Sequence, residues 1–569
     1  MKRSKRTEQL MLVILIVLTA GVRFWMAINS TPVPYPSESN VLNAVRYMTE
    51  NATLDTDFYN HPDNILILCV FLVTNLYSMI TTGNLISGSI SSIISRTIDA
   101  SYFASHFTEY LAIARCVNVA FSLIVVFVCY KIGNRLKPKC GLLAAIFAAL
   151  FSSYTNWSTL LLSDTCLMAL LLFAVHYAMK YLDNIEDNKY LYATTVFCGL
   201  ATIQKYPGAL SVLLVVYLVC VKHQKTFQES WQRYFATVIG EGIKLAVLYF
   251  VTCMLFAPNL VIHIPVVIKI LISESRDTHL GSDGLGYLGN LWFYIKCFIN
   301  QSGWIMLGLS ALGTVLFIKR KQIKNVVPVY LGFVMMIIMS KLGLHWERWS
   351  LMFHTSALIV AAYAVVWVYD EVIPSLAEKR ARMAFKSVTT VVLAFVLVVL
   401  GSNTILTVIS RVQPDTRCVD GGVLNEKGIT PENTYYESYS AFCPGMRPDT
   451  EFDFNKIQHV MISSYMYDRY KLSGSRYPRE VDMYNWLSEN CEQVYEISAD
   501  PEYSTIMDQS IYTEFGVKNG IQQIVFNLSS IAKKIKSNDD YFGPTIKVYR
   551  LSEDQVEVFI DMLGVNEDA

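Results

Sequence analysis

Long apolar blocks separated by clusters of lysine and arginine constrain this chain more than any other feature. The blocks at 10–27, 111–130, 140–151, 165–181, 190–203, 209–221, 235–256, 304–318, 326–339, 351–369 and 388–409 carry few charges or none. In hydrocarbon a backbone satisfies its own polar groups only as a helix or a closed barrel, and runs of this length are read as spanning helices. Of the 569 residues 53% are hydrophobic, and mean hydropathy is +0.35; soluble chains hold about 45–50% apolar residues. The expected fold is therefore a polytopic α-helical membrane protein. Net charge is zero and the basic residues are not gathered on one face, which argues against a nucleic-acid partner.

The basic clusters set the expected orientation, since cytoplasmic loops are enriched in Lys and Arg. Lys2, Arg3, Lys5 and Arg6 precede the first block, which is expected to remain as an uncleaved span with a cytoplasmic N-terminus. A further apolar block at 65–79 would, if it crossed, put Lys131, Arg135, Lys137 and Lys139 outside. It is short, follows His61-Pro62 and leads into a Ser/Gly/Ile segment at 83–95, so it is expected to be interfacial or re-entrant. The external loop then covers 28–110. The later clusters at 319–324 and 379–386 fall inside, which gives about eleven spans. The expected division is a membrane domain at 1–409 and a small extracytoplasmic α/β domain at 410–569, with strands at 458–463 and 545–551 and helices at 479–489 and 529–535. Five N-x-[ST] sequons, at Asn29, Asn51, Asn156, Asn300 and Asn527, fall on the expected outer side. Cys418 and Cys443 could pair if that side is oxidising, and no C-x-x-C occurs.

The polar residues left over concentrate on the expected outer face. Glu38 opens an amphipathic run ending near Met48, and His61 precedes Pro62. Asp164 sits at a membrane boundary, where an acid is either functional or a helix N-cap. Lys205 stands beside Pro207, and Arg23 and Arg115 lie near span ends; for each the bland alternative is snorkelling. In His345-Trp346-Glu347-Arg348-Trp349 a guanidinium between indoles fits either a phosphate or an aromatic belt. Carboxylates able to act as bases and cations able to hold a phosphate thus share one face. Together they point to transfer from a phosphate-linked lipid donor, with cations stabilising the leaving phosphate and a carboxylate deprotonating the acceptor.

In order and placement these motifs resemble the GT-C membrane glycosyltransferases, specifically the protein O-mannosyltransferase and aminoarabinose-transferase-like group (glycosyltransferase family 39-like). Pro36-Ser37-Glu38 stands where typical members carry Pro-Asp-Glu, followed by Arg46 and Met48. His61-Pro62, Ala114-Arg115, Asp164, Gln204-Lys205-Tyr206 and His345 to Arg348 match further family elements. Ser463-Ser464-Tyr465, Arg469-Tyr470, Gly543-Pro544 and Tyr549-Arg550 look like those of many bacterial members. The resemblance implies an enzyme that uses a polyprenyl-phosphate sugar and a lipid, glycan or protein acceptor outside a prokaryotic plasma membrane rather than in the endoplasmic reticulum. It implies Glu38 and Asp164 as catalytic groups, and Ser37, His61, Arg115, Lys205, His345 and Arg348 as substrate-binding ones. The family's first acid falls on Ser37, so Glu38 takes over its role, another carboxylate does, or the chain is a non-catalytic relative. Asn60 stands where some members have a metal-binding glutamate, so no metal or other cofactor is expected. The competing classes are a scaffold or receptor, which would not need Asp164 or Lys205, and a transporter, against which stand the lack of an internal repeat and the loop placement of the polar residues.

Overall fold

The computed structural model describes residues 2–35, 37–51, 53–81, 106–274, 280, 284–419, 421–444, 452–499, 520–536 and 541–564. Among them seven helices are long and apolar enough to cross a membrane, or nine if two bent pairs each count as one span. The pairs are Cys140–Ala149 with Ser152–Ser158, bent by 57°, and Gly286–Ser302 with Trp304–Lys319, bent by 113°. Tyr206–Lys222, Ile264–Ser273 and Ile323–Met339 are shorter apolar helices. The chain is mostly helical and integral to the membrane.

Side-chain size sorts the helices between centre and rim. The span Glu347–Ser375 is buried over 89% of its apolar window, against 17% for Trp231–Phe256. The first carries Thr355, Ser356, Ala357, Ala361, Ala362 and Ala364, all buried. Small residues let helix backbones approach where lipid supplies no hydrophobic drive. Gly332 is an instance, since a Cβ there would lie 2.2 Å from the Met352 carbonyl oxygen. The second helix turns Phe235, Ile239, Ile243 and Val247 outward at four-residue spacing, as a lipid-facing stripe does.

The contacts distinguish two ends of the bundle. At one, Lys137 meets Glu371 at 2.7 Å and Lys139 meets Asp370 at 3.1 Å. Arg320 also pairs with Glu371, Arg135 with Asp183, and Glu8 lies against Tyr130. The N-terminal segment and the clusters at 131–139 and 319–324 therefore share this end. At the other end Arg23 reaches the Ala149 carbonyl (3.2 Å), and Arg411 donates to Asn156 (2.7 Å).

The helix Asn64–Thr81 has 18 residues and is long and apolar enough to cross a membrane. Its contacts lay it across the second end instead. Leu66 N donates to the Gln204 side chain, at the end of the helix Asn188–Gln204. Tyr77 donates to Glu109 and packs edge-on to Tyr110, in the first turn of the helix Phe107–Leu136. Further along that helix Asn118 donates to the Leu160 carbonyl, just before the helix Ser163–Asp183 begins. Both termini of Asn64–Thr81 thus lie at the same end of the bundle. The segment 83–95 lies outside the described residues.

The C-terminal part carries a four-stranded sheet in the order β1-β2-β4-β3, with β1 Thr434–Tyr436, β2 His459–Ser463, β3 Glu492–Ile497 and β4 Ile546–Arg550. β1 and β2 are parallel, while β4 runs antiparallel to β2 and β3. Its helices include Ser464–Leu472, Pro478–Asn490, Gly520–Lys536 and Glu553–Leu563. The last has a capping box between Ser552 and Gln555. Val460, Ile462, Leu487 and Phe559 form a hydrophobic cluster separate from the membrane helices. Cys418 is exposed, Cys443 is buried, and no disulfide joins them. Asn156 and Asn527 face inward: Asn156 accepts from Arg411 and Asn527 donates to Ser402 and Asn403.

Candidate functional site

At the end of the bundle away from the basic clusters lies a cavity of about 520 Å³. Ser37, Asn60, His61, Asp63, Asp164, Lys205, Trp346, Arg348, Tyr439 and Arg469 are among the residues around it. They come from the first loop, three helix ends and the C-terminal part.

The local sequence explains how Lys205 and Asp164 arrive there. The helix Asn188–Gln204 cannot continue through Pro207, and Lys205 takes an extended conformation (φ −161°, ψ 136°) before a 3₁₀ turn at Tyr206–Ser211. Gly208 folds this turn back so tightly that a Cβ there would lie 2.1 Å from the Ala201 carbonyl oxygen. Asp164 stands in the first turn of the helix Ser163–Asp183. Its Oδ1 accepts from Lys205 Nζ at 2.7 Å, and its Oδ2 lies 3.5 Å from Arg348 Nε. One acid therefore orients two cations. The Arg348 guanidinium lies 4.6 Å from the Trp346 ring centroid and 5.8 Å from that of Trp157. Its Nη1 is buried without a hydrogen-bond partner among the described residues. A buried unsatisfied cationic donor is costly unless an anion completes it.

Beside this triad lies a small apolar pocket of about 20 Å³, walled by Leu167, Met168, Leu171, Met335, Met339 and Met352. Thioether side chains adapt to irregular apolar occupants. Across the cavity His61 Nδ1 lies 2.9 Å from Asp63 Oδ2. Asp63 is buried, adopts φ +49°, and its Oδ1 has no partner among the described residues. Asp63 N donates to the Gln204 carbonyl (3.0 Å), which ties this pair to the strand of chain that carries Lys205.

Ser37, His61, Asp164, Lys205 and Arg348 thus line one cavity. Three expected residues do not join them. Glu38 is fully buried and faces away from the cavity; both its oxygens are occupied, by Arg115 Nε (2.8 Å) and Nη2 (2.7 Å), Tyr35 N (2.6 Å) and Leu161 N (2.6 Å). Burial alone would raise its pKa; Arg115 and these hydrogen bonds outweigh that and hold the carboxyl below the usual range. It is an anchor with no lone pair left for an acceptor proton. Arg115 is likewise consumed, since it also donates to Ser30 and to the Thr31 and Val33 carbonyls. His345 is buried against Phe293, with ring centroids 4.3 Å apart, outside the cavity. Ser37 occupies the N-cap position of the helix Glu38–Glu50 without a side-chain capping bond.

Asp63, Arg469 and Tyr439 were not singled out from the sequence as site residues. Asp63 had a local signal, an acid two residues after His61, whereas Tyr439 and Arg469 depend on how the C-terminal part docks. Arg417 contributes to that docking: it forms an ion pair with Asp415 and donates to the carbonyls of Pro34 (2.8 Å) and Pro444 (3.1 Å). Among the described residues no group of three or more His, Cys, Asp or Glu side chains could hold a metal.

Residues 102–250 match the family model described as dolichyl-phosphate-mannose-protein mannosyltransferase. Over that segment the chain is similar to this family. No curated protein matches it. Among solved structures it is similar to the oligosaccharyltransferase AglB from Archaeoglobus fulgidus, in complex with an inhibitory peptide and a dolichol-phosphate. There the TM-score is 0.48 and the identity 11%, over 96% of this chain and 89% of that one. It is also similar to ArnT from Cupriavidus metallidurans bound to undecaprenyl phosphate, with TM-score 0.41, 12% identity, and 93% and 89% of the two chains covered. For the arabinosyltransferase EmbB from Mycobacterium smegmatis the values are 0.42 and 12%, over 92% of this chain and 41% of that one.

Proposed function

We propose that this chain is a glycosyltransferase that moves a sugar from a polyprenyl-phosphate donor to an acceptor on the extracytoplasmic face of a membrane. The observation that carries the reading is the Lys205–Asp164–Arg348 triad, whose two cations face a cavity also lined by the apolar side chains of Leu271, Ile338, Met339 and Leu342. A donor of this kind has a phosphate head and an apolar tail; the triad suits the first, and the apolar wall of the same cavity suits the part of the tail next to it. An acceptor oxygen attacks the anomeric carbon while the bond from that carbon to the phosphate oxygen breaks. The phosphate leaves with the electron pair, and Lys205 and Arg348 stabilise its charge.

The acceptor proton goes to Nε2 of His61. Asp63 holds the other ring nitrogen and stabilises the imidazolium that forms, as the acid of a His–Asp pair does. This pair takes the place of the acid that Ser37 lacks and that Glu38 does not provide. Asp164 keeps the two cations apart and oriented, and Arg469 and Tyr439 border the acceptor side.

The six long spans other than Asn64–Thr81, the bent pair Cys140–Ala149 with Ser152–Ser158, Asn188–Gln204, Tyr206–Lys222, Trp304–Lys319 and Ile323–Met339 make eleven crossings, with Asn64–Thr81 lying flat and Ile264–Ser273 not crossing. This reading puts the N-terminus and the basic clusters in the cytoplasm. The site and the domain at 410–569 then face outward. The test is donor binding by the purified chain: Lys205→Met and Arg348→Met should each weaken binding of a polyprenyl-phosphate lipid while leaving acceptor binding unchanged. Unchanged donor affinity in both variants would overturn the assignment.

A further inference from the structure

A second cavity, of about 420 Å³, lies at the opposite end of the bundle, between the helices Phe107–Leu136 and Ser163–Asp183. Four of its lining residues are Lys131, Arg135, His176 and Lys180. One carboxylate among the described residues pairs with this group: Asp183, through Arg135. Lys131 lies over the Phe127 ring at 5.0 Å, and Lys180 lies 5.1 Å from the Tyr190 centroid. These ring contacts hold the ammonium groups without neutralising them. His176 is buried, and its Nδ1 has no hydrogen-bond partner among the described residues.

The order along the two helices adds a direction. On the first, Phe127 and Val128 lie one turn before Lys131 and two turns before Arg135; on the second, Phe173 lies one turn before His176 and two before Lys180. Both walls pass from apolar to cationic toward the end where the basic clusters collect. A free phosphate would need only the cations. A lipid needs the cations at the level of its head and an apolar wall beneath them, and that is the sequence of surfaces present.

We propose that this cavity binds the phosphate headgroup of an anionic phospholipid from the leaflet opposite the Lys205–Arg348 site, with an acyl chain against Phe127 and Phe173. The site is independent of the transfer reaction, so neither proposal stands or falls with the other. The full chain, purified in detergent and stripped of lipid, is titrated with phosphatidylglycerol, phosphatidylcholine or inorganic phosphate. Bound lipid is counted by native mass spectrometry and thermal stability is followed. Phosphatidylglycerol should bind and raise the unfolding temperature, while phosphatidylcholine and inorganic phosphate should not. Removing both ammonium groups in Lys131→Gln/Lys180→Gln should weaken phosphatidylglycerol binding roughly thirtyfold, as expected for two cations lost from a headgroup site. Lys131→Arg/Lys180→Arg should retain it, which separates lost charge from misfolding. Equal binding of both lipids, unchanged affinity in the glutamine variant, or a full thermal shift with inorganic phosphate alone would each overturn the proposal.

Discussion

Two carboxylates close in sequence to the same loop have opposite circumstances. Glu38 is saturated by Arg115 and two backbone amides, whereas Asp63 has one oxygen on His61 and the other free of any hydrogen-bond partner among the described residues. The Glu38–Arg115 pair is fully buried, so removing one partner strands the other charge, at a cost of about 3–5 kcal/mol. Glu38→Gln is therefore expected to lower the unfolding temperature of the purified protein sharply, and its loss of activity should follow its loss of folded protein. Asp63→Asn and His61→Gln should behave differently. Each should leave the unfolding temperature near that of the wild type and slow transfer by about 10²–10⁴-fold, the usual range for a general base. A Glu38→Gln protein that is stable but inactive would return the base role to Glu38.

Among the elements, the first parallel strand pair of the C-terminal sheet hides a titratable group. Glu437 follows β1 and accepts from Ser463 N at 3.1 Å and from the Tyr484 hydroxyl; among the described residues no cation pairs with it. Burial pushes its pKa up from 4.5 to about 7, against the opposing effect of these hydrogen bonds. A raised carboxyl pKa means the folded state holds a proton that the unfolded state has released, so stability falls as pH rises between those two values. The contribution is fully present below about 4.5 and is lost as pH rises through about 7. Thermal unfolding of the full chain should show this decline, and Glu437→Gln should flatten it over the same window. An unchanged pH profile in that variant would place the titrating group elsewhere. The helix Asn64–Thr81 poses a different question at this scale. Its composition is that of a span, and the positions of its two termini decide against that use.

For the whole molecule, the eleven-crossing reading predicts which side each exposed position faces. Lys427 is exposed beyond the last membrane helix. In a Cys418→Ser background, Lys427→Cys should react with a membrane-impermeant thiol reagent in intact cells, and Lys321→Cys only after permeabilisation. The reverse pattern would invert the topology. How much of this was legible beforehand follows from the range of the forces involved. The apolar blocks and the basic clusters act through solvent and lipid over whole segments, so the sequence by itself determined the helical membrane class and the gathering of the basic clusters at one end. It also brought Ser37, His61, Asp164, Lys205 and Arg348 to the other end, because each stands at a segment boundary. Which carboxylate is free to react was not determined there. Glu38 meets Arg115, 77 residues away, and Asp63 is steered by Gln204. Arg469 and Tyr439 reach the cavity through contacts such as that of Arg417 with the first loop and Asn527 with the last membrane helix. Hydrogen bonds and ion pairs act over a few ångströms, so their partners were decided only when tertiary packing brought distant segments together.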